Sequence, residues 1–99
     1  MKATFDSVSQ KCSMLVTNRY STSFSLAAKM LAPGIRQDIY NIYGFVRLAD
    51  EIVDSFHDYD KQALLDRFEQ DLDRALEDQI SLNPILNAFQ ATYHRYQMP

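Results

Sequence analysis

Cysteine is nearly absent: Cys12 stands alone, which excludes an intramolecular disulfide and a thiolate zinc centre assembled within one chain. A reducing cytoplasm suits such a chain. Glycine and proline are scarce, with 2 Gly and 3 Pro, and no segment alternates apolar and polar residues for long, so strand and hairpin signals are weak. No apolar run approaches the ~20 residues that span a bilayer. Met1 to Gln10, which carries Lys2, Asp6 and two serines, lacks the apolar centre of a signal peptide. The basic residues are dispersed through a chain of formal net charge -3, so there is no positive stripe to attract nucleic acid. What is present is the composition of an ordinary globular domain, 46% hydrophobic and 23% charged, and it is read as one unit over residues 1–99.

Apolar residues recur at spacings of three and four, which predicts an all-α chain. Val8, Cys12, Leu15 and Val16 mark the apolar face of a first helix over about Val8 to Tyr20. Ser21 or Ser23 can cap a short second helix, Phe24 to Leu31, which Ala32-Pro33-Gly34 should stop. The third and clearest helix runs from Ile35 to about Phe56, with Ile35, Ile39, Ile42, Tyr43, Val46, Ala49, Asp50 and Val53 on one face. After a turn at Tyr59 and Asp60, a fourth helix over Lys61 to Asp78 sets Leu64, Leu65, Phe68, Leu72, Ala75 and Leu76 opposite an acidic face. Asn83-Pro84 reads as an N-cap followed by proline at the first helical position, opening a fifth helix through Ile85, Phe89, Thr92, Tyr93 and Tyr96.

The third helix carries the chemistry. Tyr43, Arg47, Asp50 and Asp54 are spaced four, three and four residues apart and therefore line up along one face. Two aspartates at i and i+4 repel each other, and the repulsion grows with burial. A divalent cation relieves it, since Mg²⁺ takes oxygen ligands from one or two carboxylates together with substrate phosphates. Arg47 adds a planar donor that meets a phosphate or braces a carboxylate. Asp54/Asp58, Glu69/Asp73 and Asp73/Glu77 share the spacing, but the fourth-helix pairs lie in a charge-rich run that should face water. Asp50 and Asp54 differ in interrupting an apolar stretch, where burial of charge is costly. His57 and His94 have no ligand-type spacing and are expected at the surface without a catalytic role.

Tyr20-Ser21-Thr22-Ser23-Phe24-Ser25-Leu26-Ala27, followed by Ile42-Tyr43-Gly44-Phe45-Val46-Arg47-Leu48-Ala49-Asp50-Glu51-Ile52-Val53-Asp54, resembles the squalene/phytoene synthase family. The resemblance implies an isoprenoid-synthase-type helical fold that joins two prenyl diphosphates head to head, with two or more Mg²⁺ held by two aspartate-rich motifs on opposite walls of a cavity. Asp50 and Asp54 match the first motif as metal ligands and, with Tyr43, as catalytic residues. Ser21, Ser23 and Arg47 match diphosphate-binding positions, Phe24 a residue lining the prenyl pocket, and Tyr43 a tyrosine beside the reacting carbons. Each position also has a plain structural reading: Ser21 and Ser23 as helix caps, Tyr43 and Phe24 as core aromatics, Arg47 as the partner of Asp50 or Glu51.

The resemblance implies a second aspartate-rich motif beyond residue 99, and the fourth-helix acids do not replace it. The chain is accordingly expected to be the N-terminal portion of a longer enzyme, inactive alone, with one side of its third helix exposing apolar surface and therefore prone to self-association. Phytoene from geranylgeranyl diphosphate is the preferred product. Squalene or dehydrosqualene from farnesyl diphosphate and a non-catalytic helical interaction module are the alternatives, and a requirement for NADPH is left open. A cytoplasmic location follows, with peripheral association at a membrane surface as a variant, although no basic amphipathic helix supports it.

Overall fold

In the computed structural model, which describes residues 1–99, five helices account for nearly all the ordered backbone: α1 (Lys2–Tyr20), α2 (Thr22–Ala28), α3 (Pro33–Asp54), α4 (Lys61–Asp78) and α5 (Pro84–Arg95). No strand is present. The expected class and helix order hold, and α4 has the predicted bounds. Its start is set by Asp60, whose carboxylate accepts from the Ala63 N–H at 3.0 Å. Asn83 caps α5 in the same way, accepting from the Ile85 and Leu86 amides at 3.0 and 3.3 Å, with Pro84 in the first turn, where its missing N–H costs nothing.

Several boundaries differ from expectation. Helix α1 begins at Lys2 rather than near Val8, because the Lys2 ammonium to Asp6 pair at 2.7 Å joins one turn and Asp6 also reaches α5. Helix α2 ends at Ala28, and Ala32-Pro33-Gly34 opens α3 instead of only ending α2, with Ala32 as N-cap and Pro33 in the first turn. Helix α3 stops at Asp54 rather than Phe56, where Ser55 turns out of helical geometry with its N–H still bonded to the Glu51 carbonyl.

The face that α1 buries is also not the expected one. Ser9, Ser13 and Thr17 are fully buried, whereas Val8 is 48% and Leu15 58% exposed, with Cys12 and Val16 between these extremes. The cause is proximity: α1 lies against α3 and α5, and a Cβ added at Gly44 of α3 would sit 3.2 Å from the Ser13 Cα. Only small side chains fit between backbones that close. Ser9 and Thr17 satisfy their hydroxyls by donating to the carbonyl four residues earlier, Phe5 at 2.9 Å and Ser13 at 3.0 Å, whereas the Ser13 hydroxyl is buried without a partner.

Helix α5 is the central element, with Ile85, Leu86, Asn87, Ala88, Gln90 and Thr92 buried. The Asn87 amide donates to Asp6 at 2.9 Å and Ser9 at 3.1 Å and accepts from the Ser81 N–H at 3.2 Å, so one side chain ties α5 to α1 and to the loop before it. Asn41 of α3 donates to Thr92 at 3.0 Å and accepts from Gln37 at 2.9 Å. Nearer its N-terminus, α3 buries Asp38, which accepts from Arg95 at 3.2 Å and from the Tyr96 hydroxyl. Apolar packing concentrates elsewhere: Phe45 of α3 stacks on Phe89 at 4.1 Å and Phe68 at 5.6 Å, joining α3, α5 and α4. His94, expected at the surface, is half-buried instead, and its Nε2 lies 2.9 Å from the Leu76 carbonyl, an acceptor that calls for a proton on Nε2 and ties α5 to α4.

Candidate functional site

Because α3 turns Asp38, Asn41, Gly44, Phe45 and Ile52 towards its neighbours, the row one step around the helix points outward. Ile35, Val46 and Val53 are 52%, 44% and 53% exposed, so the apolar face inferred from periodicity is an open face of this chain. Tyr43, Arg47, Asp50 and Asp54 follow this face, and exposure rises along it: Tyr43 and Arg47 are half-buried, Asp50 and Asp54 exposed. Contrary to expectation, the two aspartates are not strained by burial, since both are exposed to water. They are nonetheless free, because no side chain or backbone N–H bonds either one.

Helix α2 approaches the upper end of this row. The ring of Phe24 stacks on that of Tyr43 with centroids 4.5 Å apart and planes 22° from parallel. Ser21 caps α2, its Oγ accepting from the Phe24 N–H at 3.1 Å. The capping reading of Ser21 is thus correct, but a hydroxyl that accepts retains its own proton to donate. Ser23 is exposed and caps nothing. The fold therefore brings Ser21, Phe24, Tyr43 and Arg47 to one end of the row, with Asp50 and Asp54 further along the same helix.

Arg47 is the most constrained of these groups. Its Nη2 donates to Glu51 Oε2 at 2.7 Å, its guanidinium lies 4.9 Å from the centre of the Tyr20 ring, and its Nε is buried without a partner. The Glu51 hydrogen bond is the main reason the guanidinium is held above its ordinary pKa, with Asp50 adding a smaller attraction in the same direction. Glu51 is correspondingly pulled below the usual carboxylate range, first by the Ser55 side chain and then by Arg47. Tyr20 and Glu51 thus belong to the site's frame. The i, i+4 spacing of Glu51 from Arg47 is visible in the sequence, whereas nothing in the sequence marks Tyr20 as the platform beneath Arg47.

Two adjacent carboxylates suit a hard divalent cation, but no group of three or more histidine, cysteine, aspartate or glutamate side chains forms. The donor set fits Mg²⁺ in the manner of phosphate-handling enzymes, where one or two carboxylates share the ion with water and phosphate oxygens, rather than a cage made wholly of protein. The hollow between the end of α4 and the following loop, lined by Asp71, Arg74 and Leu82 among others, shares no residue with this row.

The chain thus aligns an aromatic pair, an arginine and two free aspartates along an open helix face. The sequence profile described as squalene/phytoene synthase matches residues 17–99, and the chain belongs to that family. It is similar to a 15-cis-phytoene synthase from Paracoccus sp. (strain N81106 / MBIC 01143), 34% identical over 86 residues, an overlap of 80% of this chain and 28% of the relative. The match therefore covers little more than a quarter of that relative's length. No solved structure matches the chain significantly.

Proposed function

We propose that this chain supplies one wall of the active site of an enzyme that joins two prenyl diphosphates head to head, with Asp50 and Asp54 holding Mg²⁺ against the diphosphate. The observation that carries this reading is the pairing of two exposed, unpartnered carboxylates with a braced arginine along one helix face, in a chain of this family. Bound there, Mg²⁺ would supply charge neutralisation for the departing diphosphate as the allylic carbon–oxygen bond ionises. Arg47 presents its remaining N–H groups to phosphate oxygens. Ser21 and Ser23 donate hydroxyl protons to the same anion. The Phe24–Tyr43 stack offers aromatic surface to the prenyl chain, and Tyr43 flanks the allylic carbons, where a π face favours developing positive charge.

The relative's name favours phytoene, made from geranylgeranyl diphosphate, over squalene or dehydrosqualene, made from farnesyl diphosphate. The need for NADPH is tied to that choice. The apolar face of α3 is proposed to support self-association, and substrates with lipid tails favour a cytoplasmic enzyme working at a membrane surface. Calorimetric titration with a non-ionisable thio analogue of a prenyl diphosphate tests the central claim. Binding is expected with Mg²⁺, and at least tenfold weaker binding without it or in Asp50→Ala. Binding that ignores both metal and Asp50 would refute the assignment and favour a helical interaction module.

A further inference from the structure

The charges along the open face of α3 do not balance in favour of an anion. Arg47 is the cation in the row, and it is already engaged: Glu51 accepts from it at 2.7 Å while Tyr20 closes one face of the guanidinium. With Arg47 and Glu51 cancelling, Asp50 and Asp54 add two negative charges to this face. Lys61, which also reaches α3, holds its ammonium on the Val53 carbonyl at 2.6 Å near the helix C-terminus and offsets at most one of them, so the face stays net negative. A diphosphate arriving alone meets net repulsion, whereas one arriving after a divalent cation does not.

The Arg47–Glu51 pair is poorly explained as helix stabilisation. In an i, i+4 pair the favourable order places the acid N-terminal to the base, and here it is reversed. Yet the side chains are only 22% and 17% exposed, and the arginine is held by Glu51 and by the Tyr20 ring while its Nε is buried without a partner. So much ordering around a pair of modest intrinsic worth points to control of what Arg47 can bind.

We propose that Glu51 is a positioning residue that makes this half-site metal-obligate: by neutralising and orienting Arg47 in the free protein, it prevents a diphosphate from binding until Mg²⁺ occupies Asp50 and Asp54. The inference rests on the diphosphate reading of the preceding subsection and adds an order of binding and the residue that enforces it.

The test uses the full chain, with inorganic pyrophosphate as probe and backbone amide NMR shifts over residues 43–55 as readout, for wild type, Glu51→Gln, and Glu51→Gln combined with Arg47→Gln. Helicity is checked by circular dichroism. Wild type is expected to respond to pyrophosphate only when Mg²⁺ is present. Glu51→Gln is expected to bind pyrophosphate without metal at least tenfold more tightly than wild type does, and the double variant to lose that gain. A purely structural role for Glu51 would not change the metal requirement. Metal-dependent binding in wild type with an unchanged requirement in Glu51→Gln, or a gain that persists in the double variant, overturns this inference alone. A wild-type chain that ignores pyrophosphate with Mg²⁺ overturns the half-site reading and this inference with it.

Discussion

Gly44 and Gly34 lie on the same helix and should respond oppositely to the same substitution. A methyl at Gly44 would come within 3.2 Å of the Ser13 Cα, Cβ and Oγ, and the Cα is backbone that cannot rotate aside. Gly44→Ala is therefore expected to cost about 1–3 kcal/mol, since α1 or α3 must move to admit the group. At Gly34 nothing lies within 4 Å, so Gly34→Ala should leave stability unchanged or raise it by up to about 1 kcal/mol through reduced freedom of the unfolded chain. Urea denaturation of the two variants settles the comparison, and equal effects would remove close packing as the explanation for Gly44.

Between elements, Asp6 provides a pH-dependent tie. It bonds Lys2 within α1 and Asn87 of α5, and those two contacts, Lys2 first, lower its pKa beneath the ordinary 3.8. A carboxylate with a depressed folded-state pKa contributes stability above its unfolded value, and that contribution is lost as pH falls through the folded value. Asp6 is 36% exposed, so water screens the contribution, which should not exceed about 1 kcal/mol near neutral pH. Asp6→Asn should therefore be less stable than wild type at pH 6 and should converge with it below 3.8 in pH-resolved thermal melts. A gap that persists into acid would assign the effect to packing.

The same elements show what a sequence discloses. The cap at Asn83, and Ser21 as one of two candidates for α2, were legible because side-chain oxygens at helix starts obey local chemistry, whereas Asp60 read only as part of a turn. The alignment of Tyr43, Arg47, Asp50 and Asp54 was legible because helical spacing alone dictates it. The inward face of α1 was not, since periodicity selects large apolar residues whereas close backbone approach selects Ser9, Ser13 and Thr17, and that contact depends on Gly44, far away in the chain. That one side of α3 would stand open was expected, but which side was hidden. Its residues look like core until α1, α4 and α5 are seen to occupy other sides of the helix. The platform role of Tyr20 depends on how α1 ends beside α3, a tertiary fact without a local signal.

For the whole molecule, the interior is more polar than its composition implies: seven apolar residues are buried alongside nine polar or charged ones, while Tyr20, Leu26, Met30, Ile35, Val46 and Val53 are exposed. An apolar surface of this kind on a small domain favours association. Sedimentation equilibrium is expected to show an apparent mass that rises with concentration and returns towards the monomer in the double variant Val46→Lys, Val53→Lys. A monomer at every concentration would refute the expectation.

The contact between Gly44 and Ser13 lies beside Tyr43 and one turn before Arg47. In most cores the spacing between elements is set by interlocking side chains, so a change in packing shifts position and stability together. Here one helix rests on the other almost at the level of the main chain, like a shaft seated against a shoulder. The height of the site row is then set by peptide dimensions that do not yield, and alignment is uncoupled from how firmly the rest of the bundle is filled. Losses in the softer aromatic packing around Phe45 would shorten the life of the fold long before they blurred the spacing of its working groups.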